Sequence, residues 1–525
     1  MSRPVLAVVF LVGCGAQLNG GGDDDELDPA LSPIGRSVVS ALIDKHPGTE
    51  GRAWHLSTDA SLSSGWILQT PVAESWGQPA SALPVTGDCS GNSRCDPDFK
   101  LIRCEQQTDC TFGGRCTEVA ATVTKPGELA RKLCTGHSDA FYDDIYNVIV
   151  SARSYIDIAS LEAPDGRFEA AVRNALTYVS HASQPVRVRL LYGAVPARSR
   201  ETAEVLATLT RDIAPTSPIK IGVGMYRSTV VSWNHTKLIA ADGRTAIVGG
   251  HNMWTQHYLQ QSPVHDISMR ISGSAAADSS RFANELWLLA CHPPANLGAV
   301  GSISEFPAGS STVCADAFTV AEKTVEPGRV PVITAGKLGG IDGDEGQDAI
   351  IALIDAAQTK LRLSLQDIGP VGGSGDWPEP YLRAIAAALA RGVDVELVLT
   401  NLNALPGGLE IGSASYSNGW TPVDVAKRLA EYTPAGVVCS KLHATTLRQG
   451  PDDQWPDGRG MANHAKLVIA DDAAFYLGSQ NFYPAQLSEL GYIVDDAAAT
   501  RELLDGYFLK MWSMSTRVMA NTCTL

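Results

Sequence analysis

Apolar residues recur along this chain in two rhythms. Short runs rich in Val, Ile and Leu alternate with stretches whose apolar positions return every three to four residues, the pattern of strands interleaved with amphipathic helices. In the first half, Ser154-Tyr155-Ile156-Asp157-Ile158 predicts a strand, about Phe168 to Val179 a helix, and Val186-Arg187-Val188-Arg189-Leu190-Leu191 a second strand. In the second half a helix is predicted from Asp348 to Gln358, followed by the strand Leu361-Arg362-Leu363-Ser364-Leu365. Another helix, Tyr381 to Ala390, leads into the strand Val393-Asp394-Val395-Glu396-Leu397-Val398-Leu399. Strands alternating with helices of this length indicate β-α-β units, a largely parallel sheet and an α/β fold built from two similar lobes. Between them, about Pro293 to Val330 is rich in Gly, Pro and Ser and has no strong period, which predicts a connection.

Each half closes on the same polar signature. The first reads Asn234-His235-Thr236-Lys237-Leu238-Ile239-Ala240-Ala241-Asp242-Gly243, then Gly249-Gly250-His251-Asn252. The second reads Asn463-His464-Ala465-Lys466-Leu467-Val468-Ile469-Ala470-Asp471-Asp472, then Gly478-Ser479-Gln480-Asn481. Both fit H-x-K-x-x-x-x-D followed by G-[GS]-x-N at identical spacing, and two such matches in one chain are not coincidence. On extended backbone, residues two apart share a face, so His235 projects with Lys237 and His464 with Lys466. If the turn centres on Asp242-Gly243, His235 falls opposite Gly250, and by the same count His464 falls opposite Ser479. Asn252 and Asn481 then sit beside each His, so each half offers an imidazole, an ammonium and a carboxamide, a set that can hold a phosphate. Asp242 and Asp471 fall in the turns and are expected to fix them. A buried H-x-K pair without a ligand would strand two polar groups in each half, which weighs against a purely structural role. Two Lys and two Asn already supply charge stabilisation, so no metal and no cofactor is expected.

Composition sets the surroundings of that chemistry. With 525 residues, 44% of them hydrophobic, the chain can bury a sizeable core. Its formal charge of −16 argues against broad nucleic-acid binding, which depends on clustered Lys and Arg. No apolar run reaches the roughly 18 residues of a spanning helix. Arg3 followed by the apolar stretch Val5 to Gly13 has the shape of a secretory signal. The stretch ends in Leu11-Val12-Gly13-Cys14, which resembles a bacterial lipobox whose Cys is diacylated, and the Gly/Asp-rich segment Gly20 to Glu26 fits a tether. Beyond Cys14, ten of the eleven cysteines remain, an even number that suits an exported protein with up to five disulfides. Six of them (Cys89, Cys95, Cys104, Cys110, Cys116 and Cys134) lie in one short segment without C-x-x-C pairs, which predicts a stapled insert rather than a zinc site. Their pairing stays open, while Cys291, Cys314, Cys439 and Cys523 are expected to form two longer bridges, Cys291–Cys314 and Cys439–Cys523.

With these motifs the chain resembles the phospholipase D superfamily, and most closely its secreted bacterial members that act on phosphatidylcholine. The likeness runs from about Ser32 onward, through Gly65-Trp66-Ile67-Leu68-Gln69-Thr70-Pro71, Asp157-Ile158-Ala159-Ser160-Leu161, Ser232-Trp233-Asn234-His235 and Asn481-Phe482-Tyr483-Pro484. It implies two α-β-α lobes, each a mixed sheet flanked by helices, with the active site between them. The expected layout is a signal over 1–14, a tether over 15–31, a first lobe over 32–290 with the insert at about 87–136, a connection over 291–330 and a second lobe over 331–525. The resemblance implies that His235 is the nucleophile and His464 the acid/base, with Lys237, Lys466, Asn252 and Asn481 on the phosphate oxygens. It implies an orienting carboxylate behind each His, Asp266 being the first and Glu489, where the family more often has Asp, the second. Gly250 and Ser479 are expected at the substrate, and Trp254, Tyr258 and Tyr416 as a cation–π wall for a quaternary ammonium. The expected activity is phospholipid head-group hydrolysis and transfer, with an exported nuclease as the alternative. The expected setting is a monomer at a phospholipid membrane surface, exported and lipid-anchored at Cys14, with no nucleic-acid partner.

Overall fold

The computed structural model describes residues 28–523 apart from 88, 90, 197–198, 230–231, 294–298, 311–312, 315–327, 341–342, 372–374, 403 and 405–418. The proposed signal, Cys14, residues 15–27 of the tether and Tyr416 lie outside the described residues, and the tether's expected end at 31 is corrected, since Leu31 is already buried in the core. The first part of the chain supplies β1 (Trp54–Ala60), β2 (Ile67–Thr70) and the insert hairpin β3 (Arg115–Val119) and β4 (Arg131–Thr135). It continues with β5 (Tyr155–Ser160), β6 (Arg187–Gly193), β7 (Lys220–Thr229), β8 (Ser232–Trp233), β9 (Leu238–Ala241), β10 (Thr245–Gly249), β11 (Asp266–Ser272) and β12 (Val300–Phe306). The second part supplies β13 (Val330–Leu338), β14 (Lys360–Leu365), β15 (Asp394–Leu399), β16 (Leu442–Thr446), β17 (Lys466–Ala470), β18 (Ala474–Gly478) and β19 (Ser488–Val494).

These strands form two large mixed sheets, and the duplication is visible in their order. One sheet contains β7-β6-β5-β9-β10-β11 and the other β16-β15-β14-β17-β18-β19. In each, three parallel strands are followed by the antiparallel motif hairpin and a closing strand. The helices expected from periodicity appear at Gly166–Val179, Glu345–Ala356 and Glu379–Ala390, each within a few residues of its forecast. Apolar side chains fill three layers: one outside the first sheet, one outside the second, and a central one shared by both. In the central layer Trp66 stacks on Phe475 at 5.7 Å, and the helix Ser274–Cys291 contributes Ala275, Phe282, Leu286 and Trp287. The lobes are therefore held by one apolar core rather than by a hinge, as their shared site requires.

Two expectations about the layout are corrected. The helix Pro33–Lys45 and β1 do not belong to the first lobe: β1 pairs with β13, and the helix packs into the second lobe's outer core. Only from β2, which pairs with β11, does the N-terminal segment join the first sheet. A local pattern cannot report which distant sheet edge a strand will choose. The connecting segment likewise holds a seven-residue strand, β12, that extends the first sheet beside β7. As a half-exposed edge strand carrying Gly301, Ser302 and Ser304, it has no apolar alternation to betray it.

Five disulfides are formed: Cys89–Cys95, Cys104–Cys116, Cys110–Cys134, Cys291–Cys314 and Cys439–Cys523. The sulfurs of Cys104, Cys110 and Cys134 lie within 4.8 Å of one another, close enough for a metal site, but all three are spent in disulfides. The insert is pinned to the first lobe by charge. Asp98 meets Arg173 at 2.7 Å and Arg211 at 3.0 Å, and Asp143 accepts from the backbone of Ala120 and Ala121. Among the described residues no helix is long and apolar enough to cross a membrane.

Candidate active site

Both motif hairpins turn through three residues rather than two. Ala241 pairs with Thr245 and Ala470 with Ala474, and Asp242 with Gly243, and Asp471 with Asp472, take positive φ. The register is therefore one residue from the expected one: continued past the ladder, His235 falls opposite His251 and His464 opposite Gln480. A one-residue change in loop length has this effect because register follows the turn. The two motif aspartates do fix the turns. Asp242 accepts from the backbone of Arg153, Ser154 and Tyr155, and Asp471 from Gln358, Thr359 and Lys360. Each thereby ties the hairpin to the start of the neighbouring parallel strand.

The Asn before each His sets the other end. Asn234 donates to the carbonyls of Ser160 and Leu191 and accepts from Thr236 N–H. Asn463 donates to those of Leu365 and Val398 and accepts from Ala465 N–H. These carboxamides close the C-terminal ends of adjacent parallel strands, the edge at which α/β sheets place ligands. Repetition of the Asn before each His is the signal in the chain for this strand-closing role.

From there the chain reaches across the lobe boundary. His235 N–H donates to Ser488 O at 2.9 Å, and His464 N–H to His265 O at 2.8 Å. The carboxylates that follow those two acceptors are the orienting ones, so the pairs are crossed. His235 Nδ1 lies 2.9 Å from Glu489 Oε2, and His464 Nδ1 lies 2.7 Å from Asp266 Oδ2. Each lobe thus holds the other lobe's imidazole through its Nδ1. Lys237 Nζ donates to His235 O and Lys466 Nζ to His464 O. Both polar atoms of Asn252 lack a hydrogen-bond partner among the described residues, whereas Asn481 Nδ2 donates to Tyr483 OH at 2.6 Å.

The site is dry. His235 and His464 are each 4% exposed, and Lys466 is 1%. Burial, with Lys237 and Lys466 beside it, lowers His235 to about 4 against the pull of Glu489. Burial, with Lys466 and Lys237 and the imidazoles of His235 and His257 nearby, holds His464 well below 6.5. Burial lowers Lys466 to about 8. The site thus carries neutral imidazoles beside two crowded lysines.

The remaining expected residues divide. Gly250 and Ser479 stand against the two carboxylates. A Cβ on Gly250 would stand 2.0 Å from Asp266 Oδ1, and Ser479 Oγ donates to Glu489 Oε2 at 2.5 Å. Tyr258 is 0% exposed and donates to Asp266 Oδ2 at 2.8 Å. Trp254 is buried in the first lobe's core, its ring edge against His257 at 5.0 Å. These two do not form an open aromatic wall; their place beside the motif had suggested one, but their packing could not be read from the chain.

Comparison with known proteins agrees with the site. A family model described as the PLD-like domain of cardiolipin synthase matches residues 350–512. The chain is similar to a phospholipase D of Streptomyces antibioticus, with 29% identity over 94% of this chain and 88% of that one. It is similar to a probable cardiolipin synthase of Bacillus subtilis, with 27% identity over 25% of this chain and 27% of that one. Its fold is similar to that of a phosphatidylserine synthase from Haemophilus influenzae, with a TM-score of 0.52 and 14% identity, over 74% of this chain and 87% of that one.

Proposed function

Because the chain belongs to the phospholipase D superfamily and is a phosphodiesterase-type enzyme, we propose that it cleaves the head group from phospholipids such as phosphatidylcholine, leaving phosphatidic acid, through a phosphohistidine. The observation that carries this reading is the crossed arrangement, in which two imidazoles, two ammonium groups and two carboxamides meet in one buried site. His235 Nε2 attacks phosphorus while Glu489 holds its other nitrogen. His464 gives a proton to the departing head-group oxygen, then takes one from water or an alcohol that attacks the phosphohistidine. A bound phosphodiester is an anion: beside the lysines it raises the proton affinity of His464, so the acid forms as substrate arrives. Lys237, Lys466, Asn252 and Asn481 stabilise the charge gathering on the non-bridging oxygens.

A phospholipid rather than a nucleic acid is favoured by the net charge of −16 and by the relative named phospholipase D that matches most of the chain. The five disulfides suit export, and an acylated Cys14 would hold a monomeric enzyme beside its substrate surface. The test compares choline release from phosphatidylcholine vesicles with nicking of plasmid DNA, for wild type and His235→Ala. Choline release lost in the variant, with ethanol diverting product to phosphatidylethanol, supports the reading. Faster nicking of DNA than cleavage of any lipid overturns it in favour of a nuclease.

A further inference from the structure

We propose that Tyr258 is the positioning residue of His464: its phenol braces the carboxylate of Asp266 and so tunes the acid–base half of the site. This rests on the assignment of His464 to proton transfer.

Three atoms form a closed triangle. Asp266 Oδ2 lies 2.7 Å from His464 Nδ1 and 2.8 Å from Tyr258 OH, and the last two are 3.0 Å apart. One carboxylate oxygen therefore serves both the imidazole and the phenol. The phenol is rigidly presented. It ends the short helix Thr255–Tyr258, whose first residue bonds Asp165 through backbone N–H and side-chain hydroxyl. The next residue, Leu259, gives its carbonyl to the Arg167 guanidinium, which also meets Asp139 at 3.3 Å. In the other half the same device is built differently. Ser479 Oγ donates to Glu489 Oε2, the oxygen that faces His235, but the donor there is an aliphatic alcohol rather than a phenol.

A donor on the shared oxygen draws charge from it and weakens its hold on an imidazolium, and a phenol donates more strongly than an alcohol. Tyr258 thus keeps His464 ready to release its proton. The groups that face His464 are Asp266 and Tyr258 from the first lobe by contact, and Lys466, Lys237, His235 and His257 as neighbouring positive or ionisable groups. Replacing the phenol leaves all the others in place.

The experiment measures wild type, Tyr258→Phe, Asp266→Asn and the double variant on two substrates. Phosphatidylcholine has a poor leaving group that needs an acid; a p-nitrophenyl phosphodiester does not. Tyr258→Phe should slow phosphatidylcholine turnover by about tenfold or more, the scale of impaired acid–base help, while the p-nitrophenol burst slows far less. In the pH profile of kcat, which reports the substrate complex, the limb set by His464 should move upward, and adding Tyr258→Phe to Asp266→Asn should cost little more than Asp266→Asn alone. Equal slowing of both substrates with an unmoved pH limb, or additive losses in the double variant, overturns the inference, since a ring that only fills space gives that result. A wild-type enzyme with no burst and no lipid turnover strikes instead at the phosphohistidine reading beneath it.

Discussion

The two lobes share a strand order, a hairpin and a catalytic set, yet they do not surround their histidines alike. The first lobe lends His464 an Asp266 braced by a tyrosine; the second lends His235 a Glu489 braced by a serine. Among the described residues the first leaves both polar atoms of Asn252 without a hydrogen-bond partner, while the second ties Asn481 to Tyr483. Even the structural charges are mirrored. Asp157 on β5 stands opposite Arg189 on β6, and at the equivalent places Arg362 on β14 stands opposite Glu396 on β15. The duplicated frame fixes where groups stand, and their unequal neighbours decide what each one does. Crossing the carboxylates makes neither lobe a complete site, so the enzyme depends on the central core that joins them.

The mirrored pairs give the largest expected contrast. Arg189 and Asp157 are both buried, with Nε to Oδ1 at 2.7 Å, so Asp157→Asn removes the carboxylate of a fully buried ion pair, at a cost of about 3–5 kcal/mol. Glu396→Gln should cost well under half of that, because Arg362 keeps Asp472. Chemical denaturation of the two variants checks it, and equal losses would remove the distinction between the lobes. Next, Asn252→Ala should lower turnover by roughly 10²–10³-fold, the usual loss for one donor to a developing oxyanion. Asn481→Ala should lose less, since Tyr483 OH stands beside the vacated position. The smallest contrast is in pH. His235 must be neutral to attack, so kcat/KM should rise as pH climbs through about 4, and it should fall through about 8 as Lys466 loses its proton. A profile rising only near 6.5 would show that burial does not set the nucleophile's ionisation.

Much of this was legible in the chain. The paired His-Lys-Asp signatures, the helices and strands of both β-α-β units, and the bridges Cys291–Cys314 and Cys439–Cys523 follow from local spacing and composition. What escaped depends on distance or on a single torsion. The register turned on whether Asp242-Gly243 and Asp471-Asp472 close a two- or three-residue loop, and only the backbone angles settle that. The partner of each carboxylate was hidden because Asp266 and Glu489 are 198 and 254 residues from the histidines they serve. Tyr258 looked like a substrate contact since it follows the first motif closely, but its hydroxyl points back into its own lobe's carboxylate.

The most direct test of unequal histidines in a shared site is to trap the covalent intermediate. Rapid quenching of His464→Ala with a p-nitrophenyl phosphodiester, followed by mass spectrometry of its peptides, should find a phosphoryl adduct on His235, with hydrolysis of that adduct slowed. The same treatment of His235→Ala should yield none. An adduct on His464, in wild type or in His235→Ala, would contradict the assignment of roles that the crossed carboxylates and their different braces support.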